Sequence, residues 1–345
     1  MKRTFTHLLR HSAFDIIHCG HPALMSLFPQ NCRVPIVLQQ DSLHTSTILS
    51  QVGASDFIKK KHAGRREAKI IEYLKLAWRR ADAVLVPTAA NRDELRQYEP
   101  NVQVKVIPHG VDAKYYLKSR LLKSKKMIVL TGAMDRPANT NAALFFVHKI
   151  WPKLRDLDGE IRLFIVGRRP TPEIVRFNRL RNVHVTGEVI DIRPFLGSAT
   201  VAVFPQQEKD GAGIKILEAM SMSIPVVCSP QACQGLDLVN KELMLVSETV
   251  SDFIENILQC IDDKNFNTTI GRAARAFVEK NNSWEAISQK LLKVYDDLIM
   301  RKMSDEDEIP SLPVTRVDFP EPQSDSPDKE KIFEPSELGD EKIKP

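Results

Sequence analysis

Residues 201–229 read VAVFPQQEKDGAGIKILEAMSMSIPVVCS. An apolar, β-rich run ends at Pro205, a polar loop follows, and Gly211 and Gly213 open an amphipathic segment carrying Lys215 and Glu218. Glycines let backbone N–H groups approach an anion closely, and a helix N-terminus adds roughly half a positive charge aimed at it. A nucleoside diphosphate suits such a turn. Lys215, in the first helical turn, reaches a phosphate as a point charge, and Glu218 is placed to accept hydrogen bonds from a ribose diol. Asp210 lies on the loop, where a carboxylate can hold hexose hydroxyls, and Glu208 is a second acid beside it. A GxG turn alone is more often structural. The specific signal is the full order of strand, loop, GxG, helix, Glu and strand.

These residues need strands and helices to hold them. Short β-rich runs alternate with amphipathic segments along the chain, the mark of parallel α/β layers. Strands are expected at 14–19, 34–38, 83–87 and 104–108, then at 126–131, 161–167, 183–186, 201–205, 224–228 and 243–246. Helical periodicity covers 62–80, 89–98, 140–155, 172–180, 213–222, 250–262, 267–280 and 284–300. The expected organisation is a partial, acceptor-side Rossmann-like domain over 1–108 and a hinge over 109–125. A complete donor-binding Rossmann-like domain follows over 126–303, its last helix packing back on the first domain. The first domain opens with a short helix where a doubly wound domain usually has a strand and a glycine turn, so it is expected to be incomplete at its start.

Composition narrows the partners. The net charge of +5 is uneven: residues 304–345 hold thirteen acids against five bases, which leaves +13 on the preceding part. A body that basic favours an anionic partner. The acidic segment also holds seven of the 21 prolines and is expected to be a disordered tail. The run 58–80 carries nine Lys or Arg and two Glu on an expected helix. A solvated face is the ordinary reading, and an anionic membrane surface is the sharper one. Few aromatic residues interleave the basic ones, which argues against nucleic acid. The five cysteines form no CxxC pair and no apolar run spans a bilayer, so a cytoplasmic protein with reduced thiols is expected. His18-x-x-His21 and His7-x-x-x-His11 lack two further ligands at matching spacing, so no metal site is expected.

The segment PQQEKDGAGIKILEAMSMSIPVV resembles the signature of family-4 glycosyltransferases of the GT-B fold. IPHGVD (107–112) is similar to that family's hinge motif, with His109 where Asn is usual, and ADAVLVPTAANRDEL (81–95) is similar to its last N-domain strand and helix. TGAMDRPANTNAALFF (131–146), IVGRRP (165–170) and VTGEVIDIRPFL (185–196) resemble one subgroup, the sugar transferases associated with exopolysaccharide and exosortase systems. The implied fold is α/β of the GT-B type, two Rossmann-like domains facing a cleft.

The implied activity is transfer of a sugar, with retention of configuration, from a nucleoside-diphosphate sugar to a glycan or lipid-linked acceptor. No cofactor or metal is implied. Residue by residue, the resemblance puts Glu218 on the ribose, and Asp210 on the donor sugar where Glu is usual. The family's Arg and Lys after the first C-domain strand are replaced by GAMDRPAN, which includes Gly132. Lys215 and Arg168, with Arg136 behind them, are the substitutes. Gly187, Glu188 and Val189 border the base. Asp41 stands at the family's active-site His or Asp, with His44 close by, and His18 falls near a family histidine. Two alternatives stay open: a nucleotide-sugar binder with weak turnover, and a nucleotide-sugar epimerase on the same fold.

Overall fold

The computed structural model describes residues 2–29, 32–41, 63–117, 126–208, 213–236 and 241–307. His44, Asp210 and Gly211 lie outside them, as do 118–125 of the expected hinge and 308–345 of the expected tail.

The first domain holds a four-stranded parallel sheet in the order β1 (Ile17–Cys19), β2 (Ile36–Gln39), β3 (Ala83–Val86), β4 (Val104–Val106). Its helices are α1 (Lys2–His11), α2 (Ala63–Arg79) and α3 (Ala89–Tyr98), with a 3-10 turn over Pro22–Leu27. All four side chains of β3 are buried, as expected of a parallel strand covered on both faces. The 3-10 turn was not expected from periodicity: Pro22 starts it and the His21 ring accepts the amide of Ala23.

The second sheet is parallel throughout, in the order β10, β9, β8, β5, β6, β7. The strands are β5 (Met127–Thr131), β6 (Arg162–Val166), β7 (Val183–Gly187), β8 (Val201–Phe204), β9 (Val226–Cys228) and β10 (Leu245–Val246). The chain enters at the centre, runs outward through β6 and β7, and returns to build the other half. Such a reversal opens a crevice at the carboxyl ends of the strands.

Around this sheet lie α4 (Pro137–Phe145), α5 (Trp151–Leu157), α6 (Pro172–Val175), α7 (Arg193–Ser198), α8 (Gly213–Ser221), α9 (Val250–Asp262), α10 (Lys264–Asn281) and α11 (Trp284–Asp307). Four segments differ from expectation. The helix expected at 140–155 is interrupted by a π turn over Phe146–Ile150, because Pro152 has no N–H to give to the preceding turn. The segment 172–180 becomes one α turn and one 3-10 turn, since Asn178 turns its side chain onto both backbone groups of Val185. Helix α7 is short and holds Pro194 and Gly197, which hides it from periodicity. Helix α11 continues to Asp307, four residues past the expected domain limit at 303.

Helix α11 crosses back to the first domain, where Val294 and Leu298 pack in one apolar cluster with Val37, Ala83, Leu85 and Ile107. The two passages of chain between the domains touch. Val111 N–H donates to the Asn282 carbonyl (2.8 Å), Trp284 N–H to the Val111 carbonyl (3.2 Å), and Asn282 Nδ2 to the His109 carbonyl (3.0 Å).

Candidate donor site at the strand ends

A cleft of about 390 Å³ sits at the carboxyl ends of β5, β6 and β7. Its lining brings together Gly132, Arg168, Glu188, Val189, Lys215 and Glu218. Its floor is laced by backbone bonds: Gly132 N–H to the Val166 carbonyl (3.0 Å), and Gly167 N–H to the Gly187 carbonyl (3.3 Å). Only glycine fits here, because Gly132 has φ +156° and the Asn139 side chain occupies the space a Cβ would take, its Cγ 2.8 Å away. Asn139 is nearly fully buried. It gives Nδ2 to the Ala133 carbonyl (3.0 Å) and accepts the Lys215 ammonium on Oδ1 (2.5 Å). Lys215 is thereby tied to the turn that follows β5.

Glu218, on the face of α8 toward the cleft, accepts the Tyr116 hydroxyl on Oε1 at 2.8 Å. Burial pushes its carboxyl up, while the bond from Tyr116 and the charge of Lys215 hold it down. Burial, with the adjacent Glu218 charge, raises the Tyr116 phenol. Tyr115 lies edge-on to Tyr116 (ring centroids 5.2 Å apart), and the Arg193 guanidinium sits 3.9 Å over the Tyr115 ring. Arg193 is paired with Asp191 at 2.8 Å, an interaction that holds the Asp191 carboxyl below its usual range.

The other expected residues fall elsewhere. Gly187 ends β7, opening the loop that carries Glu188 and Val189, and Gly213 begins α8. Arg136 caps α4 without a side-chain bond. Glu208 is outside the cleft lining, where it accepts Asn141 Nδ2 (3.3 Å). His18 and Asp41 belong to the first sheet's end of the molecule. His18 Nδ1 is hydrogen-bonded to the Tyr295 hydroxyl on α11; partial burial lowers its basicity and the Asp41 charge opposes that. Asp41 accepts Gln39 Nε2 (2.7 Å), and the intervening Gln40 accepts the Trp78 indole N–H (3.1 Å).

Sequence reasoning missed Tyr115, Tyr116, Asp191 and Arg193. The signal for the tyrosines was their place three and four residues beyond Asp112 of the hinge motif. Among the described residues no three His, Cys, Asp or Glu side chains converge as a metal site, and no helix is long and apolar enough to cross a membrane. A second hollow, about 620 Å³, lies between Lys153–Leu157 and Ser251–Leu258 on the outer helical layer, away from the strand ends.

Residues 1–115 match the family Glycosyltransferase Family 4 and residues 125–263 match Glycosyl transferases group 1. The chain is 24% identical over 310 residues to a GDP-mannose-dependent alpha-mannosyltransferase of Corynebacterium glutamicum, covering 85% of this chain and 70% of that protein. It is 24% identical over 295 residues to the sulfoquinovosyl transferase SQD2 of Arabidopsis thaliana, covering 80% of this chain and 55% of that protein, so it spans about half the length of SQD2. The crystal structure of Anabaena HepE in complex with UDP superposes with a TM-score of 0.68 at 16% identity, over 86% of this chain and 81% of that one. With a family 4 domain followed by a group 1 domain on two parallel α/β sheets, the chain is a glycosyltransferase of the GT-B type.

Proposed function

We propose that this glycosyltransferase uses a nucleoside-diphosphate sugar as donor, transfers its sugar with retention to a glycan or lipid-linked acceptor, and serves surface polysaccharide synthesis. The observation that carries the donor assignment is the convergence of Gly132, Arg168, Val189, Lys215 and Glu218 on one cleft at the strand ends. In this reading Glu218 accepts the ribose diol and Val189 borders the base. Lys215, Arg168 and the N-terminus of α8 then neutralise the departing diphosphate. No metal is needed for that neutralisation. Asp41, with His18 beside it, serves the opposing acceptor wall, and Asp210 with Gly211 the donor sugar. The UDP bound by Anabaena HepE and the GDP-mannose dependence of the Corynebacterium relative support a nucleotide-linked donor.

The test is a calorimetric screen of nucleoside diphosphates and their sugars, followed by transfer assays and NMR of the product's anomeric configuration. Glu218→Ala should weaken nucleoside-diphosphate binding at least about tenfold, since bonds to a charged acceptor are worth about 1.5–3 kcal/mol each. Asp41→Ala should abolish transfer and spare nucleotide affinity. Unchanged affinity in Glu218→Ala sinks the donor site as drawn. Binding without transfer under any acceptor favours the non-turnover binder, and an epimerised nucleotide sugar as sole product favours the epimerase.

Peripheral contact with an anionic membrane at the cytoplasmic side is the second element of the proposal. Tyr73 and Leu76 of α2 and Leu24 of the neighbouring 3-10 turn are exposed apolar side chains on a basic domain. The Tyr73 hydroxyl donates to the carbonyls of Pro22 and Ala23 (3.1 Å each), which joins the two elements into one face. Lys69, one turn before Tyr73, adds positive charge that anionic headgroups attract. Co-sedimentation with phosphatidylglycerol vesicles, lost in Leu76→Glu and absent with neutral vesicles, is the expected result. Equal partitioning onto both vesicle types removes this element.

A further inference from the structure

Tyr116 belongs to the segment that joins the domains, yet its hydroxyl donates to Glu218 Oε1 at 2.8 Å. Its place is fixed from both sides. On the chain side, Asp112 Oδ1 accepts the amides of Lys114 (3.1 Å) and Tyr115 (2.8 Å), and Tyr116 N–H donates to the Asp112 carbonyl (3.0 Å). On the domain side, Arg193 covers the Tyr115 ring, donates to the Tyr115 carbonyl (3.3 Å) and is itself paired with Asp191. A connected run of contacts therefore leads from the loop after β7, through the hinge, to the carboxylate of α8.

A phenylalanine would fill the same space and leave that carboxylate without its neutral donor, in a site where burial already penalises charge. We propose that Tyr116 is a positioning residue for the donor site: its hydroxyl pins one oxygen of Glu218 and keeps the carboxylate oriented to accept the ribose diol. Donor affinity thus depends on a hinge side chain that need not touch the donor. The proposal rests on the reading of Glu218 as the ribose acceptor.

The charged and titratable groups around Glu218 come from four elements. They are Tyr115 and Tyr116 from the hinge, Lys215 from α8 itself, Arg168 after β6, and Glu188, Asp191 and Arg193 after β7. Tyr116 and Lys215 lower the Glu218 carboxyl and burial raises it. Removing the Tyr116 hydroxyl therefore moves protonation of Glu218 to higher pH. Binding that requires the carboxylate is then lost earlier on acidification.

The experiment titrates UDP and GDP into the full-length wild type, Tyr116→Phe and Glu218→Gln from neutral to mildly acidic pH, with thermal unfolding to verify the fold. Tyr116→Phe should bind about tenfold more weakly at neutral pH, and its acid midpoint should rise. Glu218→Gln should bind weakly with that pH dependence flattened. A midpoint unmoved in Tyr116→Phe, with Glu218→Gln weakened, overturns the positioning role and leaves the ribose reading standing. Glu218→Gln binding as wild type overturns the ribose reading itself. Should Tyr116→Phe fail to fold, an isotope-labelled carboxyl NMR titration of the wild type decides. The Glu218 transition must be seen at the Tyr116 ring, and its absence there overturns the proposal.

Discussion

A Cβ added at Gly167 would lie 1.6 Å from the carbonyl oxygen of Gly132. The ends of β5 and β6 thus approach more closely than any side chain permits, and this contact forms the floor of the cleft. Gly167→Ala must push the two strand ends apart. Overpacking of this kind costs about 1–3 kcal/mol, so thermal unfolding should move down by several degrees, about 2–4 °C per kcal/mol for a domain of this size. Nucleoside-diphosphate affinity should fall as well. A variant with wild-type melting and affinity would show that the floor yields without cost.

Lys215 is held by Asn139 at 2.5 Å, so its ammonium is placed before a ligand arrives. Lys215→Met should weaken binding of a nucleoside diphosphate about tenfold or more, as the loss of a charge-assisted bond implies. The bare nucleoside should be affected far less, and the salt dependence of diphosphate binding should become shallower. Calorimetry on both ligands at low and high salt makes the comparison. Equal losses for nucleoside and diphosphate would place Lys215 away from the phosphates.

Burial lowers the His18 imidazole below its ordinary range, and the charge of Asp41 only partly offsets this. The folded state therefore takes up its proton later than the unfolded chain as pH falls. Stability from the neutral ring is fully present above the unfolded value, about 6.5, and drains away as pH drops below it. His18→Gln should flatten the fall in melting temperature between neutral and mildly acidic pH. An identical slope in wild type and variant would show that this histidine does not govern it.

Gly235, at φ +88°, stands where a Cβ would lie 2.3 Å from Thr88 Cγ2. Thr88 caps α3 of the first domain by accepting the Asn91 amide (3.0 Å), so the Gly235 backbone packs against a first-domain side chain. Gly235→Ala should lower transfer while leaving nucleotide affinity within a few fold. Thr88→Ser keeps the cap hydroxyl and removes the methyl, and should restore part of the loss in the double variant. Independent, additive effects would dissociate the two residues.

Strands were readable because a parallel strand buried on both faces must be an unbroken apolar run, as AVLV at β3 and MIVLT at β5 are. That Lys215 and Glu218 share one strand–helix unit was readable because a β-rich run, a glycine and an amphipathic segment follow one another in the sequence, and the structure brings both side chains to one cleft. Arg193 and Tyr116 were not readable in the same way. Their partners, Tyr115 and Glu218, stand 78 and 102 residues away, and no local pattern encodes a pairing made only by folding. The break at Pro152 was visible as a residue, but the π turn that accommodates it depends on the packing of Phe146, Val147 and Ile150 into the core.

The two passages between the domains run side by side, with Val111 bonded in both directions to residues 282 and 284. Two attachments laced at one place act as an axle. They oppose sliding and separation at the crossing, and α11 adds a further attachment by packing Val294 and Leu298 on the first domain. A movement of the first domain relative to the cleft is then most easily accommodated as a turn about that crossing. Under the proposed function, the order stored in the laced crossing substitutes for part of the order that a bound substrate would otherwise have to impose.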